Sequence, residues 1–229
     1  MPIEFVSVLS DGIKLCGVIH WPKKVPSPLV IGSHGLLSSK DSEKFVLLGE
    51  MFSEGGIAFL RYDHRGCGES EGDLRDTTPT SRLRDLEAFF DFVIGHPFVR
   101  KDRIGLLGSS LGGFISILKA ASDPRIRAVV LWATPALLRG EVDAPLNPAF
   151  FEDARRYDAR QAIAGVARCL ILHGTKDELV PFSDAEELYT RAQEPKQLVP
   201  FPGGDHRFSD PQMRIRAARL SLDWFKRFL

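Results

Sequence analysis

Gly108-Ser109-Ser110-Leu111-Gly112 is the stretch of the sequence best suited to covalent chemistry. It has the form G-x-S-x-G. An apolar run that reads as a strand, Arg103–Gly108, precedes it, and a run that reads as a helix, Ser110–Ala121, follows. A serine on such a sharp strand-to-helix turn projects its hydroxyl, and the tightness of the turn demands neighbours without bulk. Ser110 is therefore the candidate nucleophile. A serine hydroxyl is a weak nucleophile at neutral pH, so it needs a base, and the base needs an orienting acid. In a strand-turn-helix setting the acid and then the histidine come after the serine in the chain.

Two histidines follow Ser110, His173 and His206. His173 ends an apolar run, Leu170-Ile-Leu-His173, and is expected to build the strand end without a catalytic role. His206 follows Pro202-Gly203-Gly204-Asp205, a loop, and is the candidate base. Asp177, in a loop after a strand, has Glu178 and Asp205 as competitors for the acid. Asp205 is adjacent to His206, and adjacent side chains diverge, so Asp177 is the better orienting acid. The tetrahedral intermediate also needs donors for its oxyanion. The N–H of Leu111, directly after the serine, supplies one. The loop Ser33-His34-Gly35-Leu36-Leu37 follows an earlier strand, and the N–H of Leu36 is the second candidate. His34 is read as structural.

These residues need a framework, and the chain supplies one. Ile3–Leu9 and Ile13–Trp21 flank the turn signal Ser10-Asp11-Gly12 and read as a hairpin. Strands at Leu29–Ser33, Ile57–Tyr62, Arg103–Gly108, Ile126–Ala133, Arg168–His173 and Lys196–Phe201 alternate with helices. Those helices lie at Asp41–Glu54, Thr80–Ile94, Ser110–Ala121, Asp184–Gln193 and Pro211–Leu229. Leu83, Leu86, Phe89, Phe90, Val93 and Ile94 recur at helical spacing. Such alternation means a mostly parallel sheet covered on both faces, an α/β fold.

Composition bounds the function. With 229 residues, 44% of them hydrophobic, the chain suits one domain with a core that needs no disulfide or metal. Thirty Lys and Arg balance thirty Asp and Glu, so no net field favours nucleic acid or an anionic membrane. The arginines at 214, 216 and 219 read as a solvated helix face. Three widely spaced cysteines, Cys16, Cys67 and Cys169, form no C-x-x-C pair and fit a reducing, cytoplasmic compartment. No signal peptide is expected, and no apolar run is long enough to span a bilayer. Neither H-E-x-x-H nor G-x-x-x-x-G-K-[ST] occurs, so neither a hydrolytic metal nor a cofactor is expected.

Five ordered blocks together resemble the α/β-hydrolase superfamily along essentially the whole chain. They are His34-Gly35, Asp63-His-Arg65-Gly66-Cys-Gly68-Glu-Ser70, Gly108–Gly112, His173-Gly174-x-x-Asp177-x-x-Val180-Pro181 and Gly204-Asp-His206. Within it the chain is most similar to compact bacterial esterases and to the serine-aminopeptidase-like and lysophospholipase-like group. The resemblance implies an eight-stranded, mostly parallel sheet with an antiparallel N-terminal strand and helices on both faces. It implies Ser110, Asp177 and His206 as the triad and Leu36 and Leu111 as oxyanion donors. Asp63, Arg65, Gly66 and Gly68 match a loop with structural ion-pair and turn roles. The His-Gly-Leu-Leu loop lacks the longer glycine run of some esterases, which argues against bulky tertiary-alcohol esters. Only residues 134 to about 163 separate the sixth strand from the next, so any cap is small, with one helix expected near Pro148–Ala164.

The expected substrate is a small-molecule carboxylic ester of short to medium acyl chain, with Leu36, Leu37, Leu137, Leu138 and Phe150 as apolar lining. An alternative is a peptidase for small peptides or aminoacyl groups, with Glu141 and Asp143 available to hold an amine. A third reading is a noncatalytic binding protein on a hydrolase fold. The sequence leaves the oligomeric state open.

Overall fold

The computed structural model describes residues 2–138 and 144–229. The chain opens with a hairpin of β1 (Ile3–Ser10) and β2 (Ile13–His20), turned at Asp11 and Gly12, both at positive φ. Next come β3 (Ser27–Ser33), α1 (Glu43–Glu54), β4 (Ala58–Tyr62), α2 (Pro79–Gly95), β5 (Val99–Ser109), α3 (Leu111–Ser122) and β6 (Ile126–Trp132). Then follow α4 (Pro148–Ala154), α5 (Ala159–Ala162), β7 (Cys169–Gly174), α6 (Phe182–Arg191), β8 (Lys196–Phe201) and α7 (Pro211–Phe228).

The strands form one eight-stranded sheet in the order β1-β2-β4-β3-β5-β6-β7-β8. β2 runs antiparallel to both of its neighbours, and every other pairing is parallel. The architecture is the mostly parallel α/β sheet that the alternation implied. The central strands read as unbroken apolar runs because successive side chains enter two different cores. Ile31 and Leu106 pack on one face with Leu86 and Phe89 of α2 and Phe114 of α3. Val30 and Leu107 pack on the other with Phe45 and Phe52 of α1 and Trp224 and Phe225 of α7. Each fully buried Leu or Phe contributes about 1.5–3 kcal/mol of transfer free energy.

Local sequence sets the helix starts. Thr78 caps α2 in a reciprocal box with Ser81, with Pro79 in the first turn. Asp210 accepts from the amides of Gln212 and Met213 at the start of α7, again before a proline. No helix among the described residues is long and apolar enough to cross a membrane.

Two expectations need correction. β5 begins at Val99 rather than Arg103. The charged stretch Arg100-Lys101-Asp102 hides its start, which is attached to β3 through a single irregular pairing of Ser27 with Val99. The single helix expected over Pro148–Ala164 is two short ones. It breaks because Asp158 turns out of helical geometry and caps α5 through the Arg160 amide, while Asp153 reaches to the amide and hydroxyl of Thr80. Glu141 and Asp143 lie outside the described residues.

Candidate active site

β5 delivers the nucleophile candidate. Ser110 has φ +55° and ψ −125°, a conformation that non-glycine residues adopt only under constraint. The constraint is visible: its amide donates to the Trp132 carbonyl at 2.8 Å, fastening the turn to β6. The glycines on either side permit the turn. A Cβ at Gly112 would collide with the carbonyls of Ser33 and His34, and one at Gly108 with the backbone of Gly112.

The loops after β7 and β8 bring the other two candidates to this point. His206 Nε2 lies 3.0 Å from Ser110 Oγ across 96 residues of sequence. His206 Nδ1 lies 2.8 Å from Asp177 Oδ2 and 3.0 Å from Oδ1. The competing acids are otherwise engaged. Asp205 Oδ1 accepts from the Ser209 amide at 2.8 Å, and Glu178 Oε2 accepts from the backbone amide of His206 at 3.2 Å.

Asp177 is held from several directions. Its side chain is fully buried, and Oδ1 accepts from the amides of Leu179 and Val180 at 2.9 and 2.7 Å. Burial pushes its pKa up, but the hydrogen bonds from His173, His206 and the Val180 amide outweigh that and hold the carboxyl below the usual carboxylate range. His173 was expected to build the strand end alone. Its Nε2 also lies 3.1 Å from Asp177 Oδ2 and 2.9 Å from the Val180 carbonyl.

Leu111 opens α3, so its N–H has no carbonyl one turn back. Among the described residues neither this amide nor that of Leu36 has a hydrogen-bond acceptor. The Leu36 loop is braced from behind. His34 Nδ1 contacts the Gly35 carbonyl at 2.7 Å, and Arg82 donates to the carbonyls of Gly35 and Leu36 at 3.3 and 3.2 Å. Arg82 is fully buried, and its other partners are Thr77 Oγ1 and Cys67 Sγ. Sequence reading missed it. Arg82 stands four residues before Leu86 and seven before Phe89, within the apolar stripe of α2, and a charge in that register signals burial.

The family-like loop after β4 performs structural work. Arg65 makes a two-pronged contact with Asp85 Oδ1 through Nε (2.9 Å) and a terminal nitrogen (2.7 Å). Lys40 Nζ lies 3.0 Å from Asp63 Oδ2, and Gly66 and Gly68 both sit at positive φ. Asp41, Asp63 and Glu69 converge, and the ammonium of Lys40 lies within ion-pair distance of all three.

A cleft of about 1330 Å³ opens over Ser110 and His206. Leu36, Leu37, Leu137, Leu138 and Phe150 all line it, joined by Phe151, Leu179 and Lys44, which sequence reading did not single out. The arrangement thus strings a hydroxyl, an imidazole and a carboxylate in hydrogen-bonding order beside two unoccupied amides and an apolar cleft.

The family model for serine aminopeptidase, S33, matches residues 24–156. The chain belongs to that family, and hence to the α/β hydrolases. The matched stretch holds Ser110 and the Leu36 loop and ends before Asp177 and His206. The uncharacterized protein YfhR of Salmonella typhi is 34% identical over 168 residues, 67% of this chain and 56% of YfhR. Rv2307c of Mycobacterium tuberculosis, also uncharacterized, is 30% identical over 176 residues, 76% of this chain and 60% of Rv2307c. The chain therefore spans little more than half the length of these relatives. Among solved structures, Est1E from Butyrivibrio proteoclasticus with bound ferulic acid superposes with a TM-score of 0.85 at 24% identity, covering 96% of this chain and 99% of that one. The esterase domain of a Rhodothermus marinus protein gives 0.81 at 22% identity, covering 100% and 99%. At these identities the likeness is one of fold.

Proposed function

We propose that the chain is a serine hydrolase, a carboxylesterase for esters of short to medium acyl chain, and that residues 1–229 act as one catalytic domain. The observation that carries this reading is the continuous contact from Ser110 Oγ to His206 Nε2 (3.0 Å) and from His206 Nδ1 to Asp177 Oδ2 (2.8 Å). Ser110 Oγ attacks the acyl carbon while His206 Nε2 takes its proton. The Leu36 and Leu111 amides stabilise the oxyanion, each worth roughly 3–4 kcal/mol in the transition state. His206 returns the proton to the leaving oxygen, the bond to the alcohol breaks, and an acyl-enzyme remains. Water then gives a proton to His206 and adds to the acyl carbon. The proton returns to Ser110 Oγ as the acid departs. Asp177 holds the imidazole in one tautomer and stabilises its cation without taking the proton. No step calls for a cofactor.

The apolar side chains of the cleft suit an uncharged acyl chain. The peptidase reading would need a free carboxylate for the substrate ammonium. Among the described residues lining the cleft, the carboxylates are engaged: Glu43 pairs with Arg214, and Asp184 accepts from the Ala136 amide at 2.8 Å. Three free thiols accord with a reducing, cytoplasmic location.

The test compares p-nitrophenyl acetate and butyrate with aminoacyl p-nitroanilides, for the native chain and Ser110→Ala. Turnover of the esters that vanishes in a folded Ser110→Ala variant supports the reading. Preferential cleavage of the anilides would replace it with the peptidase. Inactivity on both would favour the binding protein.

A further inference from the structure

Lys44 has no part in the reaction just described. It lies in the first turn of α1, half-buried, and lines the cleft that holds Ser110. Its Nζ donates to Ser109 Oγ at 2.8 Å, beside the nucleophile candidate. The same nitrogen sits 5.4 Å from the ring centre of Trp132 and 5.9 Å from that of Phe208, two residues beyond His206. Among the described residues no carboxylate lies within ion-pair distance of it, unlike the part-buried cations Lys40 and Arg65. A hydroxyl and two aromatic faces compensate a part-buried ammonium incompletely.

Among the described residues lining the cleft, Lys44, Arg155, Arg207 and Arg214 outnumber the carboxylates Glu43 and Asp184. Arg155 and Arg207 also lack a carboxylate partner among the described residues, whereas Glu43 is neutralised by Arg214. Burial first, then repulsion from Arg214 and Arg207 against the pull of Asp205 and Asp177, brings the Lys44 pKa down to about 8. Its charge is thus present at neutral pH and removable just above it.

We propose that Lys44 is the counter-ion for a carboxylate carried by the ester substrate, so that half-esters with a free acid group are favoured over their neutral isosteres. The proposal rests on the serine esterase reading and names the substrate class within it. A bound carboxylate would pair with Lys44 and meet the net positive charge of the described cleft lining, a source of specificity as much as of affinity.

The experiment measures kcat/KM by pH-stat for two pairs: monoethyl adipate against ethyl hexanoate, with the anion on the acyl half, and O-butyryl glycolate against ethyl butyrate, with the anion on the alcohol half. The native chain is expected to favour the anionic member of at least one pair by about tenfold or more. That preference should collapse about tenfold or more in Lys44→Met and persist in Lys44→Arg. KM for the favoured anion should rise above about pH 8, with no matching inflection for its neutral partner. A native preference for the neutral member of both pairs overturns the proposal and leaves the esterase reading standing. So does a Lys44→Met variant in which every ester slows by one common factor. Failure to hydrolyse any of the four, with Ser110 unreactive to a fluorophosphonate, overturns both readings.

Discussion

His173 Nε2 lies 3.1 Å from the same Asp177 oxygen that His206 Nδ1 contacts at 2.8 Å. Asp177 therefore cannot swing away from His206 without also leaving His173. In the proposed mechanism the buried ring of His173 is a positioning group for Asp177. His173→Leu is expected to lower kcat by roughly 100-fold with little change in KM, the pattern of a reacting group displaced by a fraction of an ångström. His173→Gln, which keeps a donor, should recover part of the loss. Steady-state kinetics on p-nitrophenyl butyrate check both, and an equal loss in Leu and Gln variants would reduce His173 to a packing residue.

Asp177→Asn tests the orienting role itself. The amide is close to isosteric, so the fold should survive, but it stabilises the wrong imidazole tautomer. Loss of kcat by about 10⁴-fold is expected, the magnitude this substitution produces in other serine triads. Asp205→Asn, which alters the contact with the Ser209 amide and a neighbouring charge, should leave more than about a tenth of the activity.

Arg82 links stability to the Leu36 loop, the proposed source of one oxyanion donor. Replacing it with Met removes the partner of the Leu36 carbonyl and one of two partners of the Gly35 carbonyl. The Leu36 carbonyl is then left unpaired, and a buried acceptor in that state costs about 1–3 kcal/mol. A lower melting temperature is expected together with a fall in kcat, because the Leu36 amide loses its backing. A destabilised variant with full kcat at a temperature where it remains folded would separate the two roles.

Three buried histidines set the acid side of the stability profile. Burial, reinforced by Arg61, lowers His20 to about 4, and burial with Arg82 lowers His64 to about 4. Burial, with His64 and Arg82, holds His34 well below its ordinary value. In the unfolded chain all three titrate near pH 6.5. Between about pH 6.5 and 4 the unfolded chain binds more protons than the folded one, so stability falls as pH falls. Each histidine contributes a slope of about 1.4 kcal/mol per pH unit, complete above pH 6.5. Asp177, held low in the fold, adds a further loss only below about pH 4. Denaturant melts at pH 7.5, 6 and 5 check this, and equal midpoints would contradict it.

The geometry of the proposed triad was legible where chemistry imposes a local shape. A tight turn around Ser110 demands small neighbours, so the motif announces itself, and the chain order of Asp177 and His206 follows from the same fold. Other features depend on contacts that local sequence does not encode. His173 looked like a strand residue because its neighbours are apolar, and its grip on Asp177 depends on how the β7 loop curls back. Lys44 resembles any surface lysine of an amphipathic helix until Trp132 and Phe208 arrive from β6 and the loop after β8. The split between α4 and α5 lies where Asp158 caps α5, beside a contact of Asp153 with Thr80, a partner 73 residues away.

The most direct test of the account is the site of covalent labelling. Treatment with an alkyl fluorophosphonate followed by peptide mass spectrometry should place one adduct on Ser110. The adduct should form far more slowly in His206→Ala, because the hydroxyl loses its base. Labelling of another residue, or labelling of Ser110 at an unchanged rate without His206, would contradict the mechanism.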